Sequence, residues 1–340
     1  MKVYWFYIII PIGLLAILAL SLILFGLPII ESFRLLFEGA FGDKFGIHRT
    51  LVKSTPLIIV GLGLLISWKT GMFNIGGEGQ LLSGAIAGAT MFALFPNFHP
   101  AVLLLVILLA SIIFGGIFAS IASFLFFKRG VNIVISTILL NFIAIYSLNY
   151  FVRGPLQEPT KSIPQSATLP AEVMFKRFDI QTDLHAGVFI AFALSILTWF
   201  WLSKTVNGFQ FRLVGSNARA ARTARIPITR VQFCAMFFSG AICGLAGGVE
   251  YTGVSGYIFD GLSPGWGFLG IPVALLGLLH PIGVVFAGLY FGALSAGAKN
   301  LEAFSAAGSS ILFVIQGTGV LAFVALQEWN RRKLEQVKQE

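Results

Sequence analysis

The chain contains ten apolar runs, most of them about as long as a helix that crosses a membrane. A helix needs about 20 apolar residues to span the hydrocarbon core of a bilayer. The runs lie near residues 6–30, 51–68, 73–95, 101–127, 131–152, 184–203, 232–252, 266–280, 282–299 and 309–327. Only 11% of the residues are charged, against roughly 25% in a soluble domain. The sequence therefore predicts an all-α integral membrane protein with about ten transmembrane helices.

A polar connection with four prolines, residues 153–183, separates the runs into two halves of five. The predicted regions are a first transmembrane half (1–152), this loop, a second half (184–329) that includes the polar connection 204–230, and a tail (330–340). Lys and Arg accumulate in the cytoplasmic connections of membrane proteins. Cytoplasmic termini place most of the 23 basic residues on that side. The 153–183 loop then lies outside, where it could receive a partner or act as a spacer.

Several functional classes are disfavoured by composition. A net charge of +9 could indicate nucleic-acid binding, but the basic residues form short clusters between apolar runs, so we expect membrane lipid and no nucleic acid as their partner. The two cysteines lie in one apolar run, and the four histidines are scattered without the spacing of metal ligands. No Walker A pattern occurs. The sequence predicts no enzymatic activity, metal or cofactor in this chain.

Two apolar runs begin with glycine-rich stretches that are unusual for a helix facing lipid. Residues 71–80 read GMFNIGGEGQ, and residues 261–272 read GLSPGWGFLGIP. Non-helical backbone at membrane depth is tolerated only where protein buries it or where it lines a polar cavity, and interrupted segments at corresponding places in two halves indicate a central pathway. We predict broken or re-entrant segments near 71–80 and 261–272 that face each other across such a pathway.

Polar and aromatic side chains in or near these stretches are candidates for contact with a transported solute. They are Phe73, Asn74, Glu78, Gln80, Asn141, Glu250, Trp266 and Phe268. Alternatives remain open for each type. A carboxylate at a helix start, such as Glu78, also caps the helix. Asparagines within spans often form interhelical hydrogen bonds, and aromatic rings either stack on a planar solute or anchor a helix at the membrane interface.

The connection 204–230 contains a short stretch rich in alanine and arginine. Residues 214–226 read VGSNARAARTARI. Ser216 or Asn217 could cap a short helix here, and Pro227 would end it. The alanines allow close approach of another protein, while the arginines could pair with its acidic groups or with anionic lipid headgroups. The stretch is either a docking segment or an interfacial helix.

Together these motifs resemble the permease subunits of bacterial ATP-binding-cassette (ABC) importers, in the family that serves branched-chain amino acids, simple sugars and nucleosides. Residues 71–85 and 268–298 are similar to its nucleoside and simple-sugar branch, and 214–226 resembles its cytoplasmic coupling segment. The resemblance implies that the following residues dock on an ATPase: Gly215, Ser216, Asn217, Ala220, Ala221, Arg225 and Ile226. Such segments usually have a glycine where this chain has Arg225.

The resemblance also implies a function. The chain would form the pathway for a purine or pyrimidine nucleoside across the bacterial plasma membrane, with a simple sugar as the alternative solute. A second permease, identical or paralogous, would complete the pathway. ABC ATPase subunits would bind ATP and Mg²⁺, and a solute-binding protein or lipoprotein would deliver the solute from outside. An ion-coupled secondary transporter, with Glu78 or Glu250 as its proton or sodium site, is the rival interpretation.

Overall fold

The computed structural model describes residues 26–178 and 182–304, together with isolated positions before residue 26 and at residue 317. This part of the chain is helical, and its extended pairing is limited to isolated bridges. The helices are α1 (Ile29–Phe41), α2 (Lys44–Trp68), α3 (Gly77–Leu94), α4 (Pro100–Arg129), α5 (Ile133–Arg153), α6 (Gly187–Lys204), α7 (Val206–Ser216), α8 (Ala218–Thr223), α9 (Ile228–Glu250), α10 (Trp266–Leu276) and α11 (Pro281–Phe304). The all-α prediction is confirmed for this part.

Six helices are long and apolar enough to cross a membrane, namely α2, α4, α5, α6, α9 with its π-helical continuation Tyr251–Ser255, and α11. They coincide with six of the predicted runs, so the prediction of a multi-span membrane protein is confirmed. The predicted run 73–95 is instead an 18-residue helix, α3, that starts four residues later. The predicted first span lies largely outside the described residues, and the predicted tenth span and tail lie outside them apart from residue 317. The described part thus holds fewer than ten spans.

The chain divides into two compact units, one formed by residues up to Thr50 and from Phe291 onward, the other by Leu51–Tyr290. In the first unit, α1 packs against the C-terminal part of α11. The Asn300 side chain donates a hydrogen bond to the carbonyl of Leu35 at 2.8 Å, and a side chain at Gly297 would collide with the backbone of Leu36. Close backbone approach through small residues is the usual way in which helices pack within lipid.

In the second unit, α9 lies directly against α3 and α4. A β-carbon at Gly244 of α9 would collide with the backbone of Ser111 in α4, and one at Gly84 of α3 would collide with the backbone of Gly244. A β-carbon at Gly115 of α4 would likewise collide with the backbone of Gly240 in α9. Because no side chain separates the backbones at these glycines, we expect dispersion contacts there to contribute to the packing of the three helices.

The end of this unit at which α9 begins collects the segments that the basic residues place in the cytoplasm. Gln232, in the first turns of α9, donates to the carbonyl of Thr70 just after α2, at 3.0 Å. A side chain at Gly215 of α7 would collide with the carbonyl of Lys69. The connections after α2 and α6 therefore share one face of this unit, as the charge pattern predicts.

The opposite end carries the 153–183 segment, which is ordered but not helical in its described residues. The amide of Ser166 donates to the carbonyl of Ile258 at 2.8 Å, and that of Phe175 to the carbonyl of Thr252 at 3.0 Å. His185 is buried beside this segment. Its Nδ1 accepts a hydrogen bond from the amide of Gly187 at 3.0 Å, and its ring stacks on Phe175. Which end faces the cytoplasm stays a prediction.

Candidate functional site

The break before α3 is built around the side chain of Asn74. Residues 72–76 have no regular secondary structure. The oxygen Oδ1 of Asn74 accepts from the amide of Gly76 at 2.8 Å and from Nε2 of Gln80 at 3.0 Å. Its Nδ2 donates to Oε1 of Gln80 at 3.0 Å and to the hydroxyl of Ser239 in α9 at 2.9 Å. These four bonds use the two donors and both lone pairs of the amide.

A second asparagine closes the same break from α5. Oδ1 of Asn141 accepts from the amide of Gly79 at 2.8 Å, while its Nδ2 donates to the carbonyl of Ile75 at 2.9 Å. The hydroxyl of Thr137, one turn earlier, accepts from the amide of Ile75 at 3.2 Å. Buried backbone groups must be paired, most of all within a membrane. The structure therefore brings Asn74, Gln80 and Asn141 together, but directs them at the chain itself.

The second break precedes α10. The segment contains glycines with positive φ at Gly256, Gly261 and Gly265, a conformation that glycine adopts without steric cost. The hydroxyl of Ser263 accepts from the amides of Gly265 and Trp266 at 3.2 and 3.0 Å and so fixes the turn that leads into the helix. With 11 residues, α10 is about 16 Å long, roughly half of the hydrocarbon thickness.

The two breaks touch. Oε2 of Glu78, in the first turn of α3, accepts a hydrogen bond from the amide of Gly267, in the first turn of α10, at 2.7 Å. A β-carbon at Gly267 would collide with the backbone of Glu78. Of the two interpretations of Glu78, a helix cap or a solute contact, the structure shows a cap. The capped helix is α10, however, and not α3, to which Glu78 belongs. The carboxyl group lies at the positive end of the α10 dipole, which favours its ionised form. The segments that we expected to face each other across a pathway are in direct contact here.

The remaining candidates fall into two groups. Trp266 and Glu250 are only 4% and 7% exposed, and the Glu250 carboxylate is near enough to the indole to interact with it. In contrast, Phe268 and Phe73 are 41% and 54% exposed. Among the sequence candidates, only these two aromatic rings are free to meet a solute, a lipid or a partner.

Some residues of the site were missed by the sequence analysis. Ser239 and Thr137 are small polar residues within apolar runs, and nothing in their spacing singles them out. Ser263 stands in the sequence Ser-Pro-Gly, which is typical of a turn. Lys53 lies inside the predicted run 51–68, and a basic residue inside a span is a functional signal by default.

The docking candidates lie on α7, α8 and the turn that follows. Oδ1 of Asn217 accepts from the amide of Ala220 at 3.0 Å and caps α8, so Asn217, not Ser216, takes the predicted capping role. Ser216 instead donates to the carbonyl of Leu213 at 3.3 Å at the end of α7. The helix α8 ends at Thr223, four residues before Pro227.

The turn after α8 explains the usual glycine of such segments. The amide of Ile226 donates to the carbonyl of Ala221, and the amide of Arg225 to that of Arg222, both at 3.0 Å. This pair of bonds defines a Schellman motif, in which the residue at the position of Arg225 is left-handed. Its φ is +57°, a conformation that costs roughly 1–2 kcal/mol for a residue other than glycine.

Exposure separates the docking candidates. Gly215, Ser216, Asn217 and Arg225 are exposed, and Ala220 and Ile226 are half-buried. Ala221 is fully buried against this chain, so it supports α8 and is not available for contact with another protein.

The chain matches the family model described as branched-chain amino acid transport system, permease component, over residues 46–317. It is 34% identical over 312 residues to the guanosine ABC transporter permease protein of Bacillus subtilis, a match that covers 90% of this chain and 88% of the relative. It is 33% identical over 330 residues to the glucose ABC transporter permease protein of Haloferax volcanii, covering 94% and 87%. A nucleoside ABC transporter permease protein of Lactococcus lactis subsp. cremoris is 31% identical over 293 residues, covering 83% and 80%.

No solved structure matches the chain significantly. The family model covers most of the chain, and the described helices have the length and composition of a multi-span membrane protein. The chain therefore belongs to the family of permease components of branched-chain amino acid transport systems.

Proposed function

We propose that this chain is the translocation subunit of an ATP-driven importer, and that it carries a nucleoside across the bacterial plasma membrane. The similarity to ABC permeases over most of the chain carries this proposal. Two of the three relatives described above are named for guanosine or nucleosides. The third is named for glucose, which keeps a simple sugar as the second candidate solute.

The contact between α3 and α10 supports a translocation role. Half-length helices with N-termini inside the membrane present partially positive backbone ends to a solute. Since the Glu78 side chain already binds the first turn of α10, we propose that the solute passes beside this contact and not between the two segments. Phe268 also lies in the first turn of α10. Its ring is exposed and is available to stack on a purine or pyrimidine base.

The position of the docking segment suggests how ATP hydrolysis acts on the pathway. Gly215 lies against Lys69, and Thr70 is bonded to Gln232. The break that holds Asn74 begins directly after Lys69 and Thr70. We propose that a movement of residues 214–226, imposed by an ATPase, is transmitted through this contact to the break, where the bond from Asn74 to Ser239 passes it to α9.

The other subunits complete the proposal. Because the sequence contains no Walker A pattern, ATP and Mg²⁺ are assigned to separate ATPase subunits, and this chain performs no covalent chemistry. A second permease, identical or paralogous, would enclose the pathway with this chain. A solute-binding protein or lipoprotein would deliver the solute on the side of the 153–183 segment, with both termini of this chain in the cytoplasm.

ATP-dependent uptake tests the proposal. The chain is reconstituted in vesicles with its ATPase and its partner permease, and uptake of labelled guanosine and adenosine is measured against glucose, ribose and leucine as competitors. We expect saturable uptake that requires ATP and is inhibited by nucleosides alone. Inhibition by glucose or ribose would show that the importer carries a sugar and not a nucleoside. Uptake driven by a proton or sodium gradient without ATP would overturn the importer and favour an ion-coupled carrier.

A pair of variants tests the proposed solute contact. Phe268→Ala should raise the KM for a nucleoside by about tenfold, because base stacking on an aromatic ring contributes roughly 1–3 kcal/mol. The matched control is Phe286→Ala, on α11, where the ring is more exposed and no solute contact is proposed. An equal change of KM in both variants would contradict the assignment of Phe268.

A further inference from the structure

The ammonium group of Lys53, in α2, lies over the ring of Trp266, the first residue of α10. Its Nζ lies 5.3 Å from the centre of the Trp266 ring. Lys53 is half-buried and Trp266 is buried. A cation over the face of a tryptophan ring is attracted by the quadrupole of the ring, and the attraction grows when water is excluded. The contact therefore ties α2 to the beginning of α10.

A buried carboxylate lies at the same place. Glu250, the last residue of α9, is within electrostatic range of both the Lys53 ammonium and the Trp266 indole. In the described part of the chain, no acceptor lies at hydrogen-bonding geometry to the buried indole N–H of Trp266. A buried carboxylate needs an opposite charge, since an uncompensated charge in a low-dielectric environment is strongly destabilising. Lys53 supplies an opposite charge near Glu250, whereas Asp183, which is exposed and paired with Arg177, adds a like charge.

The first turn of α10 is consequently held from two sides. Trp266 lies under the Lys53 ammonium and interacts with Glu250, and the next residue, Gly267, donates to Glu78. The helices α2, α9 and α3 each contribute one charged side chain to these contacts. These contacts add to the packing of α10, six of whose 11 residues are buried, and they act at the start of the helix.

We propose that Lys53 is a positioning residue for transport: it offsets the charge of Glu250 and holds the Trp266 indole, and thereby fixes the N-terminus of α10 beside the solute pathway. The consequence for transport rests on the proposed function, whereas the consequence for the position of α10 does not. The alternative is a lysine that only extends its ammonium toward the membrane surface.

Thiol labelling tests the position of α10 without reference to any solute. A thiol is introduced by Phe268→Cys in a chain with Cys234→Ser and Cys243→Ala, assembled with its partner subunits. We expect Lys53→Gln to change the rate of reaction with a water-soluble maleimide by about tenfold, which corresponds to a loss of roughly 1.4 kcal/mol. Lys53→Arg, which keeps the cation, should leave the rate within about twofold.

The matched control is a thiol introduced by Phe286→Cys, on α11, whose labelling should be the same with and without Lys53→Gln. If Lys53→Gln changes neither thiol, the lysine only extends toward the membrane surface and the proposal falls. If it changes both equally, the helix bundle is generally loosened, and the proposal is again overturned.

A double variant tests the charge balance through ATP-dependent uptake. Lys53→Gln alone should lower uptake by about tenfold, and adding Glu250→Gln should restore most of it, because no charge is then left unpaired. A double variant no better than Lys53→Gln would refute the pairing. Arg34→Gln, which breaks an exposed pair with Glu38 in the other unit, is the control and should have little effect. If the unaltered assembly takes up no nucleoside, the proposed function fails, and the labelling experiment still decides the role of Lys53.

Discussion

Replacing Asn74 with alanine should destabilise the protein before it affects any solute contact. The side chain makes four hydrogen bonds, to Gly76, to Ser239 and twice to Gln80. Each buried hydrogen bond contributes about 1 kcal/mol net, and a buried partner left without one costs roughly 1–3 kcal/mol. Since the Gln80 amide and the Ser239 hydroxyl can partly find new partners, we expect a total loss of about 3–5 kcal/mol. Most native proteins have only about 5–15 kcal/mol in all.

Thermal unfolding of the purified chain in detergent, followed by tryptophan fluorescence, measures this loss. A destabilisation of that size should lower the unfolding midpoint by roughly 5–10 °C. The double variant Asn74→Leu, Gln80→Met should lose less than the sum of its single variants, because both partners of the amide pair are removed together. The interaction energy obtained from this cycle should be about 1 kcal/mol or more.

Asn149→Ala is the matched control within the membrane helices. The Asn149 side chain is only half-buried, and its bonds to Ile145 and Asp260 are 3.4 and 3.1 Å long, so we expect a loss of about 1 kcal/mol or less. An unchanged midpoint for Asn74→Ala, combined with a weaker affinity for solute, would refute this reasoning. Asn74 would then contact the solute and not stabilise the break.

Three further outcomes are expected. Arg225→Gly should stabilise the turn after α8 by about 1 kcal/mol, since glycine removes the cost of the left-handed conformation; slower amide hydrogen exchange in this turn is the measurement, and unchanged exchange would contradict it. Gly215→Val should separate ATP hydrolysis from uptake, because its side chain would collide with the carbonyl of Lys69. Phe209→Val, at an exposed position of α7 outside the docking residues, is the control, and coupled transport in both variants would count against transmission through this contact. Burial is the main reason why the pKa of His185 falls from 6.5 to about 4. The unfolded chain therefore takes up the proton first as the pH falls. The contribution of His185 to the free energy of unfolding should decrease by roughly 3 kcal/mol between about pH 6.5 and pH 4 and be constant above that range. Unfolding midpoints across this range, with His185→Gln as the variant that should lose the dependence, check the last outcome.

The membrane helices could be predicted from the sequence because a long apolar run has few other stable structures. The breaks could be predicted for a similar reason: the glycines at 76, 77 and 79, and those at 261, 265 and 267, interrupt apolar runs at positions where a lipid-facing helix gains nothing from them. The first residue of α3 could not be predicted. Residues 73–76 stand at the head of the predicted run 73–95, but hydrogen bonds that Thr137 and Asn141 of α5 form with Ile75 hold this backbone out of the helix, and the local sequence does not contain those contacts.

The functional residues were harder to predict than the breaks. A polar side chain inside a membrane either bonds to its own protein or faces the solute, and residue type alone does not distinguish the two. For Asn74 the deciding partner is Ser239, 165 positions away in the chain. For Glu78 it is the amide of Gly267, 189 positions away. Such partners are set by the packing of α9 and α10 on α3, which local patterns do not contain.

The backbone contacts among α3, α4 and α9 limit how the protein can move. Sliding one of these helices along another would bring side chains larger than hydrogen into the places where Gly84, Gly115, Gly240 and Gly244 now meet the facing backbones. The resulting overlap blocks a shear movement within this group, since well-packed interfaces shift between discrete arrangements and do not deform continuously. We therefore expect α3, α4 and α9 to turn as one rigid body during a transport cycle, with the change in access occurring at its edges.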